Sequence, residues 1–115
     1  MRRIEIWTVA GGPDYAGKPR PAVILQDDAF EETASVTLCP LTTHLVDAPL
    51  VRLPLTPTRQ NGLKAASHVM VDKITTVAKS KLQTRVGKLT DEDMIRVNRA
   101  VVVFLGLAGR PKTSK

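Results

Sequence analysis

The sequence predicts a mainly β domain with one α-helix: a small antiparallel barrel or strongly curved sheet, with a C-terminal amphipathic helix that covers one opening. Short β-branched segments, separated by glycine, proline and asparagine signals, recur through most of the chain. One later segment instead places apolar residues at helical spacing behind a run of acidic residues. The length of 115 residues leaves room for one compact unit, so we expect a single domain over residues 1–115.

Four strands are predicted in the first half of the chain, over residues 4–9, 22–26, 35–41 and 50–55. Each is short and rich in β-branched or apolar residues, and each is bounded by turn signals. Arg20 lies between Pro19 and Pro21, whose rings hold the backbone extended, so it falls at the junction between a loop and the second strand. Pro49 and Pro54 place the fourth strand at a sheet edge or a bend.

The second half contains one alternating segment and two shorter ones. Residues 68–74 alternate as a strand, with two valines on the core face and Asp72 on the opposite face. Residues 78–82 predict one short helical turn, and residues 83–89 predict a last short strand.

A terminal amphipathic helix is predicted after Thr90. This residue is a suitable N-cap, and the three acidic residues that follow it favour the positive end of the helix dipole. Apolar residues then recur at helical spacing: Met94, Val97, Val101, Phe104 and Leu105. Gly106 and Gly109 end the helix, and the basic tail over residues 108–115 has nothing to bury, so we expect it to be mobile. Apolar surface left on the helix or on an edge strand predicts a homodimer.

The composition narrows the class of protein. Hydrophobic residues make up 43% of the chain and charged residues 24%, as in an ordinary globular domain. No apolar run reaches the roughly 18 residues that a membrane helix needs, and charged residues precede any signal-peptide core, so we expect a cytoplasmic protein. The single cysteine, Cys39, excludes an internal disulfide and a cysteine-based metal site. His44 and His68 lack the short spacing of a helical zinc motif, so no metal is expected.

The charge balance indicates the class of partner. Seventeen basic residues against eleven acidic residues give a net charge of +6, which attracts polyanions and releases counterions when phosphates bind. Nucleic acid or an acidic protein segment is the expected partner, although a basic balance also serves solubility alone. Four aromatic residues are too few for a stacking platform, so we expect any RNA to be held mostly by its phosphates.

Six polar or cationic residues remain as candidates for chemistry, because the sequence has no dinucleotide motif, no P-loop and no Gly-x-Ser-x-Gly elbow. They lie at strand ends or on one strand face: Arg20, Thr42, Thr43, His44, Asp72 and Lys73. An arginine fork can grip two phosphate oxygens and a threonine hydroxyl can donate to a third, which stabilises a phosphorane-like transition state. Two plainer interpretations stay open: Arg20 as a solvated loop residue, and the Thr42–Thr43 pair as residues that close a turn. Cys39 lies in an apolar strand and is expected to be a buried, inert thiol.

Several short blocks of sequence stand in a fixed order. Residues 17–28 read GKPRPAVILQDD, with IWTV at residues 6–9 before them and PLTT at residues 40–43 after them. Later blocks follow at residues 62–64, 69–74 and 86–94. Together these blocks resemble the MazF/PemK family of toxin ribonucleases. The resemblance spans residues 2 to about 107, and its specificity lies in the order and spacing of the blocks.

The resemblance implies an SH3-like antiparallel barrel or curved sheet of the MazF, PemK and CcdB type, a homodimer, and a toxin of a type II toxin-antitoxin system. It also implies metal-independent cleavage of single-stranded RNA, including mRNA, at short sequences, which inhibits translation and growth. A cognate antitoxin with a flexible acidic segment would regulate the toxin. On the matching positions, Arg20 and Thr42 are the catalytic pair and Thr43 helps bind the RNA backbone. The ribose 2′-oxygen is transferred to the adjacent phosphorus, leaving a cyclic phosphate and a free 5′-hydroxyl, so no cofactor is expected.

The chain departs from the family pattern at several positions. PemK-like members have an arginine, proposed as the general acid, where this chain has Met70, so that mechanism does not transfer and Arg20 carries the electrostatic load. Asp72 matches the family aspartate and is expected to act either as a base or as a structural acceptor for loop hydroxyls. His44 lies beside the predicted site, where it either donates a proton or is merely solvated. Lys73 replaces a common glutamine, which alters the expected RNA preference.

Two other functions stay open. A gyrase-inhibiting toxin of the CcdB type has the same fold but acts through an extreme C-terminal segment that contains tryptophan, and this chain has no tryptophan after Trp7. A non-catalytic RNA- or protein-binding module of the same fold is suggested by Met70, and it predicts RNA binding without product formation.

Overall fold

The computed structural model describes residues 1–11, 18–107 and 109, and within that part of the chain a series of strands leads to one α-helix. Seven strands occur in the order β1 (Glu5–Val9), β2 (Arg20–Ile24), β3 (Ser35–Thr42), β4 (Arg52–Leu55), β5 (Ser67–Met70), β6 (Thr75–Ala78) and β7 (Leu82–Lys88), followed by α1 (Asp91–Phe104). Short 3-10 turns lie at Asp28–Phe30, Val71–Lys73 and Lys79–Lys81. Apart from Gly109, the predicted tail over residues 108–115 falls outside the described residues. No helix in the described ranges is long and apolar enough to cross a membrane.

The strands form one antiparallel sheet that divides at β3. The strands β4, β5, β3, β2, β1 and β7 lie side by side in that order, and β6 also pairs with β3. The first half of β3 pairs with β6, whereas its end, at Leu41 and Thr42, pairs with β5. Because β4 and β7 end the series, the sheet is open within the described residues. The predicted antiparallel sheet with a C-terminal helix is therefore confirmed, in the form of an open sheet rather than a closed barrel.

The sheet buries apolar side chains on both faces, because alternate residues of a strand point in opposite directions. Cys39 and Leu41 of β3 belong to a core cluster that includes α1, and we call their side the helix face. Val36 and Leu38 belong to a second cluster on the opposite side, which we call the groove face. Both faces of β3 are therefore packed, which fixes the position of this strand in the sheet.

The terminal helix α1 covers the helix face as predicted. The Thr90 hydroxyl accepts a hydrogen bond from the backbone N–H of Asp93 at 3.0 Å, which caps the start of the helix. Its buried stripe consists of Met94, Val97 and Ala100. Gly106, at φ +76°, ends the helix, and the N–H of Leu107 donates to the carbonyl of Val102 at 2.8 Å. Several apolar side chains near this end are exposed: Val102, Val103, Phe104, Leu105 and Leu107.

The predicted strand over residues 68–74 is wrong in its second half. β5 ends at Met70, whose backbone (φ −91°, ψ 84°) leaves the extended region and starts the 3-10 turn Val71–Lys73. This turn redirects the chain so that β6, which the sequence analysis does not predict, pairs with the first half of β3. The predicted directions of the two side chains are nevertheless confirmed, because Val71 is buried in the core and Asp72 is partly exposed. The helical turn predicted at residues 78–82 corresponds to the 3-10 turn Lys79–Lys81.

Candidate active site

The pairing of β2 with β3 brings Arg20 and Thr42 to the same place on the sheet. Ala22 lies opposite Pro40 in this antiparallel pair, and two residues further along the two strands stand Arg20 and Thr42, in the same register. Because side chains alternate along a strand, both residues share the groove face with Ala22 and Pro40. The predicted catalytic pair therefore meets at one end of the β2–β3 ladder.

Prolines stiffen the backbone that carries Arg20. Pro19 and Pro21 each hold φ near −65° and disfavour helix around Arg20. Arg20 is the first residue of β2, lies opposite Val9 of β1 and is exposed. Arg20 therefore lies at the junction between a loop and the second strand, as predicted, and its guanidinium extends from the first residue of that strand.

A cleft of about 310 Å³ opens at this end of the ladder. Its lining consists of Arg20, Leu41, Thr42, Thr43, His44 and Met70. Four of the six residues singled out from the sequence thus surround one cleft. Its volume lies at the lower end of the range for small-ligand sites, and is comparable with one nucleotide unit of a longer chain.

The hydroxyl of Thr42 is held by the turn that follows β3. Its oxygen accepts a hydrogen bond from the backbone N–H of His44 at 3.0 Å. Thr42 therefore does close a turn, as the plainer interpretation proposed, but the same bond leaves the hydrogen of the hydroxyl available to donate to a ligand. Thr43 and His44 are exposed beside it.

Asp72 does not line the cleft but forms a bidentate ion pair with Arg52 of β4. Its Oδ1 accepts from Nε of Arg52 at 2.8 Å, and its Oδ2 accepts from Nη2 at 3.1 Å. These hydrogen bonds lower the pKa of Asp72, so the carboxylate stays ionised, with both oxygens bonded to Arg52. Asp72 is therefore a structural acceptor, for a guanidinium rather than for the loop hydroxyls that the sequence suggested.

Lys73 follows Asp72 at the end of the 3-10 turn and is exposed. Lys73 is not one of the described residues that line the cleft. Its ammonium therefore flanks the site at a distance, where it adds positive potential to the surface.

Cys39 has the inert character that the sequence predicted. The side chain is fully buried, and its thiol donates a weak hydrogen bond to the carbonyl of Met70 at 3.3 Å. Burial raises the pKa of this thiol to about 12, so it stays protonated. The thiol thus holds the β5 backbone just behind the cleft.

The sequence analysis missed Arg52, and it noted Met70 only as a departure from the family pattern. Met70 lines the cleft wall, and Arg52 lies directly opposite it in the β4–β5 pair. The neighbour of Met70 on β4 depends on a pairing that no local pattern reveals.

A second, apolar groove of about 360 Å³ adjoins the cleft on the groove face. Arg20 borders both spaces, and Lys81 lies at the border of this groove as well. Leu38 and Val77 provide part of its apolar wall. Two cations therefore border an apolar surface next to the polar cleft.

Comparison with known proteins agrees with this fold. The family model described as PemK-like, MazF-like toxin of type II toxin-antitoxin system matches residues 2–105. A probable endoribonuclease MazF from Mycolicibacterium smegmatis is 53% identical over 109 residues, which are 95% of this chain and 100% of that protein. Endoribonuclease MazF9 from Mycobacterium tuberculosis is 26% identical, over 93% of this chain and 98% of that protein. A solved mycobacterial endoribonuclease in complex with its cognate antitoxin has a TM-score of 0.79 at 25% identity, over 96% of this chain and 99% of that one.

The chain belongs to the family of PemK-like, MazF-like toxins of type II toxin-antitoxin systems, because the family model spans nearly its whole length. The family predicted from the ordered blocks is therefore confirmed, as is the predicted class of endoribonuclease toxin.

Replacing the carboxylate of Asp72 tests the ion pair. We expect Asp72→Asn to lower the free energy of unfolding by about 1–2 kcal/mol at pH 7, because Arg52 loses a charged, bidentate partner. The folded-state pKa of Asp72 is lowered, so its contribution is present above the unfolded value near 3.9 and is lost as pH falls through the folded value. The deficit of the variant should therefore shrink between pH 5 and pH 2 in urea titrations of both proteins.

The exposed Asp47 provides a matched control, since Asp47→Asn removes the same charge elsewhere. This variant should differ little from wild type at any pH. A deficit of Asp72→Asn that stayed constant down to pH 2 would contradict an ionised, paired Asp72.

Proposed function

We propose that the cleft at the end of β2 and β3 is where this toxin cleaves single-stranded RNA, with Arg20 and Thr42 as the catalytic pair. The observation that carries this proposal is the shared register, which places a guanidinium and a hydroxyl on one face of the sheet beside one cleft. An arginine fork and an alcohol donor are a complementary set for the oxygens of a phosphodiester.

The proposed reaction is metal-independent transfer of the ribose 2′-oxygen to the adjacent phosphorus. The 2′-hydroxyl loses its proton to solvent as the bond between the 2′-oxygen and phosphorus forms. The bond between phosphorus and the 5′-oxygen breaks, and the 5′-oxygen gains a proton. The products carry a 2′,3′-cyclic phosphate and a 5′-hydroxyl. The attacking group belongs to the RNA, so DNA is not a substrate.

Each polar residue of the cleft has a separate role in the proposed reaction. Arg20 grips the phosphate and stabilises the charge that grows on its oxygens, and Thr42 donates its hydroxyl hydrogen to one of them. Thr43, exposed at the rim, binds the neighbouring backbone of the RNA. His44 gives a proton to the leaving 5′-oxygen, because imidazole is the side chain suited to proton transfer near neutral pH and His44 borders the cleft.

Asp72 and Lys73 support the site from outside the cleft. Both oxygens of Asp72 already accept from Arg52, so this carboxylate holds the turn at the end of β5 rather than taking a proton from RNA. Lys73, exposed on that turn, attracts phosphates of the RNA that extend beyond the cleft.

The second groove suits a segment of a cognate antitoxin. A similar solved mycobacterial endoribonuclease is in complex with its own cognate antitoxin. A flexible segment with acidic and apolar residues would place carboxylates near Arg20 and Lys81 and apolar side chains against Val77. Because Arg20 borders both spaces, such a segment would exclude RNA from the cleft. Ordering on binding costs entropy, which the buried apolar surface offsets.

The exposed apolar end of α1 supports a homodimer, since contiguous apolar surface is commonly covered by a partner. Sedimentation equilibrium is expected to return the mass of two chains, and the mass of one chain at micromolar concentration would contradict the dimer.

The location of the protein follows from the proposed activity. A toxin that cleaves mRNA acts where translation takes place, so we assign it to the cytoplasm.

Alanine at either catalytic position should remove most of the activity. We expect Arg20→Ala and Thr42→Ala each to lower the single-turnover rate of cleavage of single-stranded RNA in EDTA by about 10²–10³-fold, the loss typical of removing one donor to a developing oxyanion. The rate is measured by following 5′-labelled RNA on a denaturing gel.

Arg99→Ala is the matched control, because Arg99 is exposed on α1 and its loss changes the net charge equally. It should cleave RNA at nearly the wild-type rate, and circular dichroism should show that all three variants are folded. Full activity in both cleft variants would refute the site, and RNA binding without products in wild type would favour the non-catalytic module.

A change in the RNA substrate, together with analysis of the product ends, tests which group attacks the phosphorus. A single 2′-deoxynucleotide immediately 5′ of the cleaved bond should block cleavage at that bond, because the attacking oxygen is absent. Mass spectrometry of the all-ribose products should find a 2′,3′-cyclic phosphate. A 5′-phosphate and 3′-hydroxyl on the products would instead indicate attack by water and rule out the proposed reaction.

A further inference from the structure

His68 of β5 is the cross-strand neighbour of Thr42. The two residues lie directly opposite each other in the antiparallel pair of β3 with β5. Opposed residues have Cβ atoms about 4.5–5.5 Å apart and side chains on the same face. Met70, two residues from His68 on that face, lines the cleft together with Thr42. His68 therefore stands immediately behind the hydroxyl that we place on the phosphate.

The ring of His68 carries an unused hydrogen-bonding atom. Its Nδ1 is buried and has no hydrogen-bond partner in the part of the chain that the structure describes. Leaving a buried polar atom unpaired is costly, so each instance calls for an explanation.

Polar groups bonded to β5, or in the turn after it, already have partners. The thiol of Cys39 donates to the carbonyl of Met70, and both oxygens of Asp72 accept from Arg52. On β4, the residue opposite His68 is Pro54, which has no backbone N–H to donate. The hydroxyl of Thr42 is the cross-strand polar group on the same face.

A threonine hydroxyl has room for this second partner. Its oxygen has two lone pairs and one hydrogen. One lone pair accepts from the backbone N–H of His44, and the other can accept from an Nδ1–H of His68 once the two side chains rotate toward each other. The hydrogen of the hydroxyl then has one direction left, toward the cleft.

We propose that His68 is a positioning residue for Thr42: when RNA occupies the cleft, Nδ1–H of His68 donates to the Thr42 hydroxyl and directs its hydrogen at the phosphate. This inference rests on the proposed function, because His68 can orient the Thr42 hydroxyl for catalysis only if that hydroxyl donates to RNA. His68 then acts through Thr42 and need not touch the RNA.

Three substitutions of His68 show which of its two ring nitrogens is required. His68→Asn places an amide N–H close to the position of Nδ1, His68→Gln places its amide nearer to Nε2, and His68→Phe keeps a ring without any polar atom. We expect His68→Gln and His68→Phe to lower kcat roughly tenfold, the effect of about one hydrogen bond, with KM unchanged. His68→Asn should stay within about threefold of wild type. Thermal unfolding of each variant reports its stability separately.

Combining substitutions shows whether His68 works through Thr42. In the Thr42→Ala protein, adding His68→Gln should cause no further loss in the single-turnover rate, since the hydroxyl that it positions is gone. An equal tenfold loss in both backgrounds would overturn the inference, as would equal kcat values for His68→Asn and His68→Gln. If His68→Phe fails to fold, this comparison of the two amides still decides.

The two proposals fail in different ways. Full activity of Thr42→Ala would refute the site and the role of His68 together. A nearly inactive Thr42→Ala combined with fully active His68→Gln and His68→Phe would leave the site intact and refute the role of His68 alone.

Discussion

The antiparallel register between β2 and β3 is the constraint on which the site depends. A slip of one residue would turn either Arg20 or Thr42 from the groove face to the helix face. The register is held because both faces are packed at this point: Val23 lies opposite Cys39 on the helix face, and Ala22 is buried on the groove face. Any slip would expose these side chains to water and bring others into the core. Apolar packing thereby sets the position of a guanidinium relative to a hydroxyl.

The change of partner along β3 gives the site its second wall. Because β5 replaces β6 as the neighbour of β3 near its end, Thr42 faces His68, and Met70 lines the same cleft. The 3-10 turn Val71–Lys73 separates the two partner strands, and the ion pair of Asp72 with Arg52 ties this turn to β4. Arg52 lies opposite Met70, so the pair supports the cleft wall from behind.

Much of the fold could be predicted because its signals are local. The cap at Thr90, the glycine stop at Gly106 and the strand that starts beside Pro21 each follow from the chemistry of one or two residues. The short strand β6 could not be predicted, because its pairing with β3 is formed by residues distant in sequence. The same limit applies to the site: residue type and resemblance indicated Arg20 and the segment 42–44, whereas His68 matters only through its neighbour on another strand.

The pairing of Asp72 with Arg52 determines how charge is used around the cleft. Each group neutralises the other, so the pair contributes nothing to the net charge of +6, and neither the carboxylate nor the guanidinium adds to the potential that RNA meets. A carboxylate whose pKa is lowered by a bidentate partner is also a weak proton acceptor. In the proposed mechanism, proton transfer is therefore assigned to the imidazole of His44, and the remaining catalytic effect to the fixed positions of Arg20 and Thr42. The proposed mechanism is compatible with Met70 on the cleft wall, because it depends on the fixed register of two paired strands rather than on an additional charge.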